Sequence, residues 1–353
     1  MTRLVSGRSA ARPLRKKVPK DLFVADYGLD AVEILTNKTW QNVGSITSGI
    51  DSPDGAFVDK KGNLYISNAG SVDITEYKPG ASSPKYTYSS GMENPTDVSV
   101  DTHGNVYEAD FEDGDVAEFP QGSNTPSEQC AITGWVGGVA VDKSGDVFVA
   151  FYNKNTGAGQ INEYAGGLNG CNATTLGASL VFPGGMAIDG KGNIVICDQD
   201  NSTVDIIDPP YSSISGYLGS GYIDPVHVRI GNKDKRAYVD NYDYGDASVW
   251  VEDYPSGSVI ATLNSSNGLD QPLSAVDSPN EVPEGRNESC SDRGARRQCA
   301  LRRFCRTGRT RGAASRRARC GGHSSNRAWP CQWPALWKQR SVAACSRGRR
   351  RRS

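Results

Sequence analysis

The sequence predicts an all-β fold, a six-bladed β-propeller of four-stranded antiparallel blades. The first observation is composition: 37% of the residues are hydrophobic, and 40 Gly and 18 Pro indicate a chain rich in turns. The second is a strand–turn–strand unit that recurs at intervals of 41–47 residues. A period of about 40–50 residues with several short strands is typical of a propeller. The third is that each end of the repeat region supplies part of one blade.

The repeating unit is clearest between Pro53 and Gly70, where the chain reads PDGAFVDKKGNLYISNAG. It contains a short strand at 56–58, a polar turn and a second strand at 64–66. The Gly62-Asn63 dipeptide in the turn is expected where both central residues of a hairpin turn have positive φ. The same pattern starts again at Asp97, Gly138, Gly185 and His227.

Each repeat continues with a third strand, such as Val72–Tyr77, and a Pro-Gly turn at Pro79 into an outer strand, such as Lys85–Tyr88. Four strands make one blade. The chain opens on a second strand, Leu22–Asp26, and the repeats end on a first strand, Ser274–Asp277. We expect these two strands to share one blade and so to close a ring of six without exposed sheet edges.

Charge divides the chain into three segments: a basic leader at 1–20, the propeller at 21–280 and a tail at 281–353. Residues 1–280 hold 19 Lys and Arg against 36 Asp and Glu, whereas the tail holds 20 against 4. The leader has no apolar segment, so we expect it to be flexible and not a secretory signal as it stands. No apolar run approaches the 18 residues of a membrane span.

The tail contains 19 Arg, a single Lys and six of the nine cysteines, with neither strand nor helix periodicity. We expect it to be disordered. Our hypothesis is that the residues from about Glu281 are a frame-shifted extension of the gene. Its arginines can contact nucleic-acid phosphates only without base specificity. No membrane span is predicted, and we expect a monomer.

The repeat cores PDGAFVDKKGNLYISN and PGGMAIDGKGNIVICD resemble the NHL-repeat signature of six-bladed propellers. That broad group includes gluconolactonase-like (senescence marker) proteins and streptogramin B lyase. The resemblance covers roughly residues 20–280 and implies the fold rather than one function, because this scaffold hosts hydrolases, lyases and binding proteins. It also implies that loops entering first strands and loops leaving second strands meet around the mouth of the central channel.

Carboxylates and amides are frequent at the positions that the resemblance places around this mouth. The entry positions are Asp54, Asp97, Gly137, Gly184, His227 and Ser274, and the exit positions are Asp26, Asn68, Asp110, Asn153, Asp198 and Asp240. The candidate ligand-binding residues are Asp54, Asp97, Asp110, Asn68, Asp198 and Asp240. Their oxygens suit a divalent cation such as Ca²⁺, with Asp54 as the candidate metal ligand. Asp or Asn after a strand is also ordinary turn chemistry, and this alternative stays open.

The enzymes of the group imply two catalytic arrangements, and the chain matches each only in part. Gluconolactonase-like proteins hold their ion with a Glu, an Asn of an Asn-Gly loop and an Asp of a Pro-Asp-Gly loop, of which only Pro53-Asp54-Gly55 is present. Streptogramin B lyase is thought to use a His/Glu pair. Here only His227 faces the mouth, with Asp224 nearby in sequence, and it is the candidate general base.

The predicted function is a non-catalytic binding propeller that presents an acidic channel mouth to a cation, a polar ligand or a protein partner. The alternative is a lactone hydrolase or lyase that uses His227 and Asp54. Cys130 and Cys171, near the outer strands of adjacent blades, can pair if the protein is exported, although the sequence does not indicate a compartment. Cys197 is predicted to be a buried apolar residue.

Overall fold

The computed structural model describes residues 21–112, 114–231, 233–242 and 245–278. These residues form 24 strands in six four-stranded antiparallel sheets, and the helices among them are 3₁₀ turns of three residues. The predicted six-bladed β-propeller is confirmed. The predictions for the leader at 1–20 and for the tail at 281–353 lie outside the described residues.

The strands follow the chain in order. They are β1 Asp21–Asp26, β2 Ala31–Thr36, β3 Asn42–Ile46, β4 Pro53–Val58, β5 Leu64–Asn68, β6 Asp73–Tyr77, β7 Tyr86–Tyr88, β8 Pro95–Val100, β9 Val106–Asp110, β10 Asp115–Phe119, β11 Glu128–Ala131, β12 Gly134–Val141, β13 Val147–Asn153, β14 Ala158–Tyr164, β15 Thr174–Thr175, β16 Pro183–Ile188, β17 Ile194–Asp198, β18 Thr203–Ile207, β19 Gly216–Tyr217, β20 Pro225–Gly231, β21 Arg236–Asn241, β22 Ser248–Asp253, β23 Ser258–Leu263 and β24 Pro272–Asp277.

From the channel outwards, the six blades are β24-β1-β2-β3, β4-β5-β6-β7, β8-β9-β10-β11, β12-β13-β14-β15, β16-β17-β18-β19 and β20-β21-β22-β23. The first strand of each blade is its inner strand. Each inner strand contacts the inner strands of both neighbouring blades, and β20 contacts β24, which in turn contacts β4. The ring is therefore closed.

The closing blade joins the two ends of the described chain. β24 pairs with β1 in antiparallel register, with Ala275 opposite Val24 and Val276 opposite Phe23. The amide of Ser278 also donates to the carbonyl of Asp21 at 2.9 Å. This is the pairing that the two incomplete blade halves predict, and it completes the sixth four-stranded blade.

The hydrophobic core is divided among six clusters, each lying between two adjacent blades. Because both faces of every sheet are covered by a neighbour, the second strands β5, β9 and β17 are buried along their whole length. Tyr65, Phe148 and Tyr238 are among the largest fully buried side chains. The blades therefore form a well-packed frame for the loops at both ends of the channel.

In four blades an aspartate holds the turn between the first and second strands: Asp59, Asp101, Asp142 or Asp189. Asp59 Oδ1 accepts hydrogen bonds from the amides of Lys61 and Asn63, both at 2.8 Å, and Asn63 Nδ2 donates to Asp59 Oδ2 at 2.8 Å. Gly62 has a φ of 83°, but Asn63 is not among the residues with positive φ. The expectation of positive φ at both residues is therefore wrong, because the aspartate side chain closes a longer turn that needs only the glycine.

A disulfide joins adjacent blades at their outer edges. Cys130 in β11 bonds to Cys171, which precedes β15, across a Cα–Cα distance of 5.4 Å and a sequence separation of 41 residues. Cys197 in β17 is buried and free, as predicted. Among the described residues, no helix is long and apolar enough to span a membrane.

Removing this disulfide is expected to destabilise the propeller. Closing a loop of this length contributes about 2–4 kcal/mol, chiefly by restricting the unfolded chain. Cys130→Ala/Cys171→Ala should therefore unfold at a lower guanidinium concentration than the oxidised wild type. Reductant should lower the wild-type midpoint and leave that of the double variant unchanged. A wild-type midpoint that does not respond to reductant would contradict the expectation.

Candidate functional site

The channel has two ends that carry different connections, because strand direction alternates within each blade. The mouth face consists of the described residues in the connections that leave second strands or enter inner strands: 27–30, 47–52, 69–72, 89–94, 111–112, 114, 132–133, 154–157, 176–182, 199–202, 218–224, 242, 245–247 and 264–271. The turn face consists of the described residues in the remaining connections: 37–41, 59–63, 78–85, 101–105, 120–127, 142–146, 165–173, 189–193, 208–215, 233–235 and 254–257.

The two faces differ in charge. Among the described residues, the mouth face contains eight acidic residues and one basic residue, Lys154. The sequence of the turn face contains nine lysines and seven aspartates. Several of those aspartates, including Asp59 and Asp101, accept hydrogen bonds from amides of their own turns. The propeller is therefore polarised along its axis, with the negative charge concentrated at the mouth.

Four aromatic side chains, the aromatic cluster, meet on the mouth face. The rings of Phe111 and Trp135 are parallel, with centroids 5.8 Å apart, and Tyr152 stacks on Trp135 at 5.5 Å. Phe182 contacts Trp135 edge-on at 6.2 Å and Tyr152 at 5.4 Å. The Lys154 Nζ lies 4.9 Å from the Trp135 ring centroid. All four rings are partly exposed, so the cluster forms part of the mouth surface.

The cluster draws on three blades. Phe111 follows β9, Trp135 lies in β12, Tyr152 lies in β13 and Phe182 precedes β16. These positions are far apart in sequence and are brought together because the mouth-face loops of adjacent blades are neighbours. Aromatic pairs with centroids 4.5–7 Å apart contribute about 0.5–1.5 kcal/mol beyond the burial of their area. The arrangement is therefore a defined apolar surface.

Arg229 of β20 crosses the centre of the channel. Its Nε donates to the carbonyl of Ala56 in β4 at 2.9 Å, and its Nη1 donates to the carbonyl of Met186 in β16 at 2.8 Å. Its Nη2 donates to Asp97 Oδ1 in β8. One side chain thus connects four inner strands. On its turn-face side the channel is a cavity of about 790 Å³ that Arg229 lines.

Three further ionisable side chains lie beside this arginine. His227 Nδ1 donates to the carbonyl of Leu273 at 2.9 Å and lies 3.7 Å from Asp54 Oδ1. Its Nε2 lies 3.9 Å from Asp97 Oδ1. Asp97 also accepts from the amide of Val139 at 3.1 Å, which ties β8 to β12. Asp240 Oδ2 accepts from the amide of Ala275 at 3.0 Å.

The central group consists of Arg229, Asp97, Asp54, His227 and Asp240. Burial is the largest cause of the pKa shifts of Asp54, His227 and Asp240. It raises the pKa of Asp54 well above its ordinary value, and the nearby carboxylates of Asp97 and Asp240 raise it further, against the opposing effect of Arg229. Burial raises the pKa of Asp240 to about 8 and lowers that of His227 to about 4. At neutral pH Asp240 is therefore mostly protonated and His227 is neutral, beside the salt bridge between Arg229 and Asp97, and burial favours the protonated form of Asp54.

Most of the predicted exit residues hold loops in place. Asp110 accepts from the amides of Glu93 and Asn94 at 2.6 and 3.0 Å. Asp198 accepts from the amides of Val181 and Phe182 at 2.9 and 2.8 Å. In the same way the Asn68 side chain accepts a hydrogen bond from the backbone amide of Asp51. The Asp26 carboxylate accepts from the backbone amides of Asp270 and Gln271. Each residue joins the end of a second strand to the loop that enters the inner strand of the same blade.

One exit position is corrected. Pro225 pairs with Asn241, and it is the Asn241 side chain that accepts from the amide of Ile223 at 2.6 Å. Asp240 pairs instead with His227, beyond an irregularity in the β20–β21 register, and belongs to the central group. The same register irregularity occurs in β4–β5 and β8–β9, where the exit residue lies opposite the proline, so in this blade the exit residue is Asn241 and Asp240 precedes it by one position.

The structure thus brings together Asp54, Asp97, Asp240 and His227 and separates them from Asn68, Asp110 and Asp198. All seven side chains are buried, with exposures of 0–2%. Among the described residues, no group of three or more His, Cys, Asp and Glu side chains is arranged to hold a metal ion. Sequence reasoning missed Arg229 and the aromatic cluster. The signal for Arg229 was available, since it is the only Lys or Arg in any inner strand.

Comparison with solved structures supports the class of protein that this geometry defines, a six-bladed β-propeller. One similar structure is titled "Crystal structure of Nidogen/Laminin Complex", with a TM-score of 0.60, 16% identity and coverage of 73% of this chain and 98% of that chain. Another is a protein of unknown function from Bacteroides caccae, with a TM-score of 0.57, 12% identity and coverage of 74% and 99%. No family model and no curated protein matches the sequence. At these identities the likeness establishes the fold.

Proposed function

We propose that this chain is a non-catalytic interaction propeller that binds a partner protein on its mouth face. The observation that carries the proposal is the coincidence, on one face only, of the aromatic cluster with the acidic loops. Partly exposed aromatic residues rimmed by charge are characteristic of protein–protein interfaces. The similar solved structure of a nidogen/laminin complex contains a propeller together with a protein partner.

The alternative, a lactone hydrolase or lyase, has less support. Its two key side chains, Asp54 and His227, are each 2% exposed. A general base works best when its pKa lies near the working pH, whereas burial lowers the pKa of His227 to about 4. Arg229 also occupies the centre of the channel between four inner strands. These features favour a structural role for the central group.

A cation at the centre is a separate part of the proposal. Asp54 Oδ1 and Asp240 Oδ1 are buried oxygens without a hydrogen-bond partner. The described residues hold no group of three or more metal-ligating side chains, so a divalent ion such as Ca²⁺ would bind through these two carboxyl groups. It would replace protons there, because the pKa of both is raised. Binding of the ion would therefore strengthen with rising pH.

We also propose that the chain belongs to the NHL-repeat group, which its repeat sequences resemble.

The mouth-face proposal is tested by selecting binders and mapping them. A random dodecapeptide library is selected against the full-length protein, and each enriched peptide is tested against Trp135→Ala and against Lys143→Glu, an exposed turn-face substitution. We expect most enriched peptides to lose at least tenfold in affinity with Trp135→Ala, because interface aromatic anchors contribute about 2 kcal/mol or more. They should bind Lys143→Glu like the wild type.

Peptide binding that does not depend on Trp135 would contradict the proposal. Binders that lose affinity only with Lys143→Glu would place the interaction on the turn face. Enriched peptides insensitive to both substitutions would leave the mouth face without a binding role. Circular dichroism and thermal unfolding of each variant verify that a loss of binding does not arise from a loss of folding.

A further inference from the structure

We infer that the segment recognised by the mouth face is an extended, arginine-containing basic peptide of the partner. This inference rests on the proposed function and names its ligand. Three properties of the mouth face carry it: the sign and concentration of its charge, the chemistry of the aromatic cluster beside that charge, and the distance over which both extend.

The charge of the mouth face selects for cations. Its exposed acidic residues within the described chain are Asp30, Asp51, Glu93, Glu112, Asp200, Asp246 and Asp270. Lys154 is the one basic residue of these loops. A surface with this excess of one sign attracts oppositely charged segments and repels phosphates, so a nucleic-acid backbone is disfavoured here. The expected partner surface is therefore positive.

The aromatic cluster indicates which cation is preferred. Lys154 already lies over the Trp135 ring, which shows that this ring accepts a cation on its face. Glu112 is exposed and directly follows Phe111 in the chain, so an acidic residue stands next to a member of the cluster in sequence. A planar guanidinium can stack on a ring and also form paired hydrogen bonds to a carboxylate, whereas an ammonium acts as a point charge. Arginine therefore suits this surface best.

The extent of the surface favours a peptide over a single small cation. The ring centroids of Phe111 and Phe182 lie 5.8 and 6.2 Å from that of Trp135, so the cluster extends over no more than about 12 Å. Three to four residues of extended chain, at about 3.3 Å each, cover that distance. A longer segment then reaches the acidic loops of neighbouring blades, which gives several weak contacts instead of one.

The inference is tested with a defined pair of peptides on the full-length protein. A fluorescein-labelled dodecapeptide of alternating Arg and Gly is titrated by anisotropy, beside the same peptide with Glu in place of Arg. We expect binding of the Arg peptide only, and weakening of at least threefold when salt rises from 50 to 200 mM, since the attraction is screened.

Two single substitutions form a matched pair. Glu112→Lys reverses the charge of the residue that follows Phe111 and should weaken binding of the Arg peptide about five- to tenfold, as expected for a reversed charge at an interface. Asp208→Lys reverses a charge at an exposed turn-face position, and its affinity for the Arg peptide should stay within about twofold of that of the wild type. Trp135→Ala should weaken binding of the Arg peptide at least tenfold. If Trp135→Ala folds poorly, Glu112→Lys still tests the inference, because it changes an exposed residue.

The results separate this inference from the proposed function. Selected peptides that map to Trp135 but are not basic, or that bind independently of salt, would overturn the inference and leave the mouth-face function standing. Arg-peptide binding that Glu112→Lys and Trp135→Ala leave unchanged would overturn the inference by placing the contact elsewhere. Loss of mouth-face mapping in the library selection would remove the proposed function and this inference together.

Discussion

Replacing Arg229 by methionine is expected to destabilise the propeller by about 3–5 kcal/mol. The substitution removes the cation from a buried ion pair and leaves Asp97 uncompensated beside two more carboxyl groups, a change that typically has this effect. It also leaves the carbonyls of Ala56 and Met186 without the donor they now have. The free energy of unfolding from guanidinium titration measures the effect.

A double variant shows whether the loss comes from the unpaired charge. Arg229→Met/Asp97→Asn removes both charges, so it should be more stable than Arg229→Met alone. Lys154→Met serves as the control, because Lys154 is an exposed cation and its loss should leave the unfolding midpoint close to that of the wild type. An Arg229→Met protein as stable as the wild type would mean that the arginine does not hold the channel centre together.

Replacing Asp240 by asparagine is expected to remove much of the loss of stability that the wild type shows between pH 6.5 and 8. The folded protein holds the Asp240 proton up to a pKa of about 8, whereas the unfolded chain releases it near the ordinary value of 3.8. Between these values the folded state binds more protons, so its stability falls as the pH rises. Between pH 6.5 and 8, the proton held by Asp240 in the folded state lowers the free energy of unfolding by about 2 kcal/mol as the pH rises.

His227 acts in the opposite direction over a lower range. Its pKa falls from 6.5 to about 4 on folding, so its contribution rises with pH between those values and is constant above 6.5. Asp224 and Glu252, whose pKa burial raises to about 7, contribute a slope that both proteins share. The difference between wild type and Asp240→Asn above pH 6.5 therefore reports Asp240 together with its electrostatic coupling to Asp54. Parallel stability curves for the two proteins would refute its assignment.

The repeat spacing was sufficient to predict the architecture from the sequence. Strand number, blade number and the joining of the chain ends follow from counting, because each blade needs four strands and the two incomplete halves fit one another. Strand bounds were less accurate: β4 begins at Pro53, three residues before the predicted start at Ala56. The register irregularity between Pro53 and Ala56 interrupts the apolar alternation that marks a strand.

The candidate site was only partly predictable. Asp97 and His227 fall on inner strands whose position the repeat fixes, so their approach to one another could be anticipated. Asp110 and Asp198 have the same residue types at exit positions, yet they accept loop amides, and residue type does not distinguish the two roles. The reach of Arg229 across the channel depends on its rotamer, which no sequence spacing encodes.

The aromatic cluster illustrates a second limit of sequence spacing. Phe111, Trp135, Tyr152 and Phe182 occupy different positions within their repeats, so counting from turn to turn does not align them. They meet because adjacent blades present their mouth-face loops side by side. Such a surface becomes evident only after the ring has been closed in three dimensions.

Hydrogen–deuterium exchange with and without the Arg-containing dodecapeptide tests the central claim, that this propeller binds its partner on the acidic, aromatic mouth face. We expect slower exchange on binding in segments 111–114, 132–135 and 180–182 and unchanged exchange in the turn-face segments 59–63, 142–146 and 189–193. Protection confined to the turn-face segments, or bound peptide with no protection at the mouth, would contradict the account.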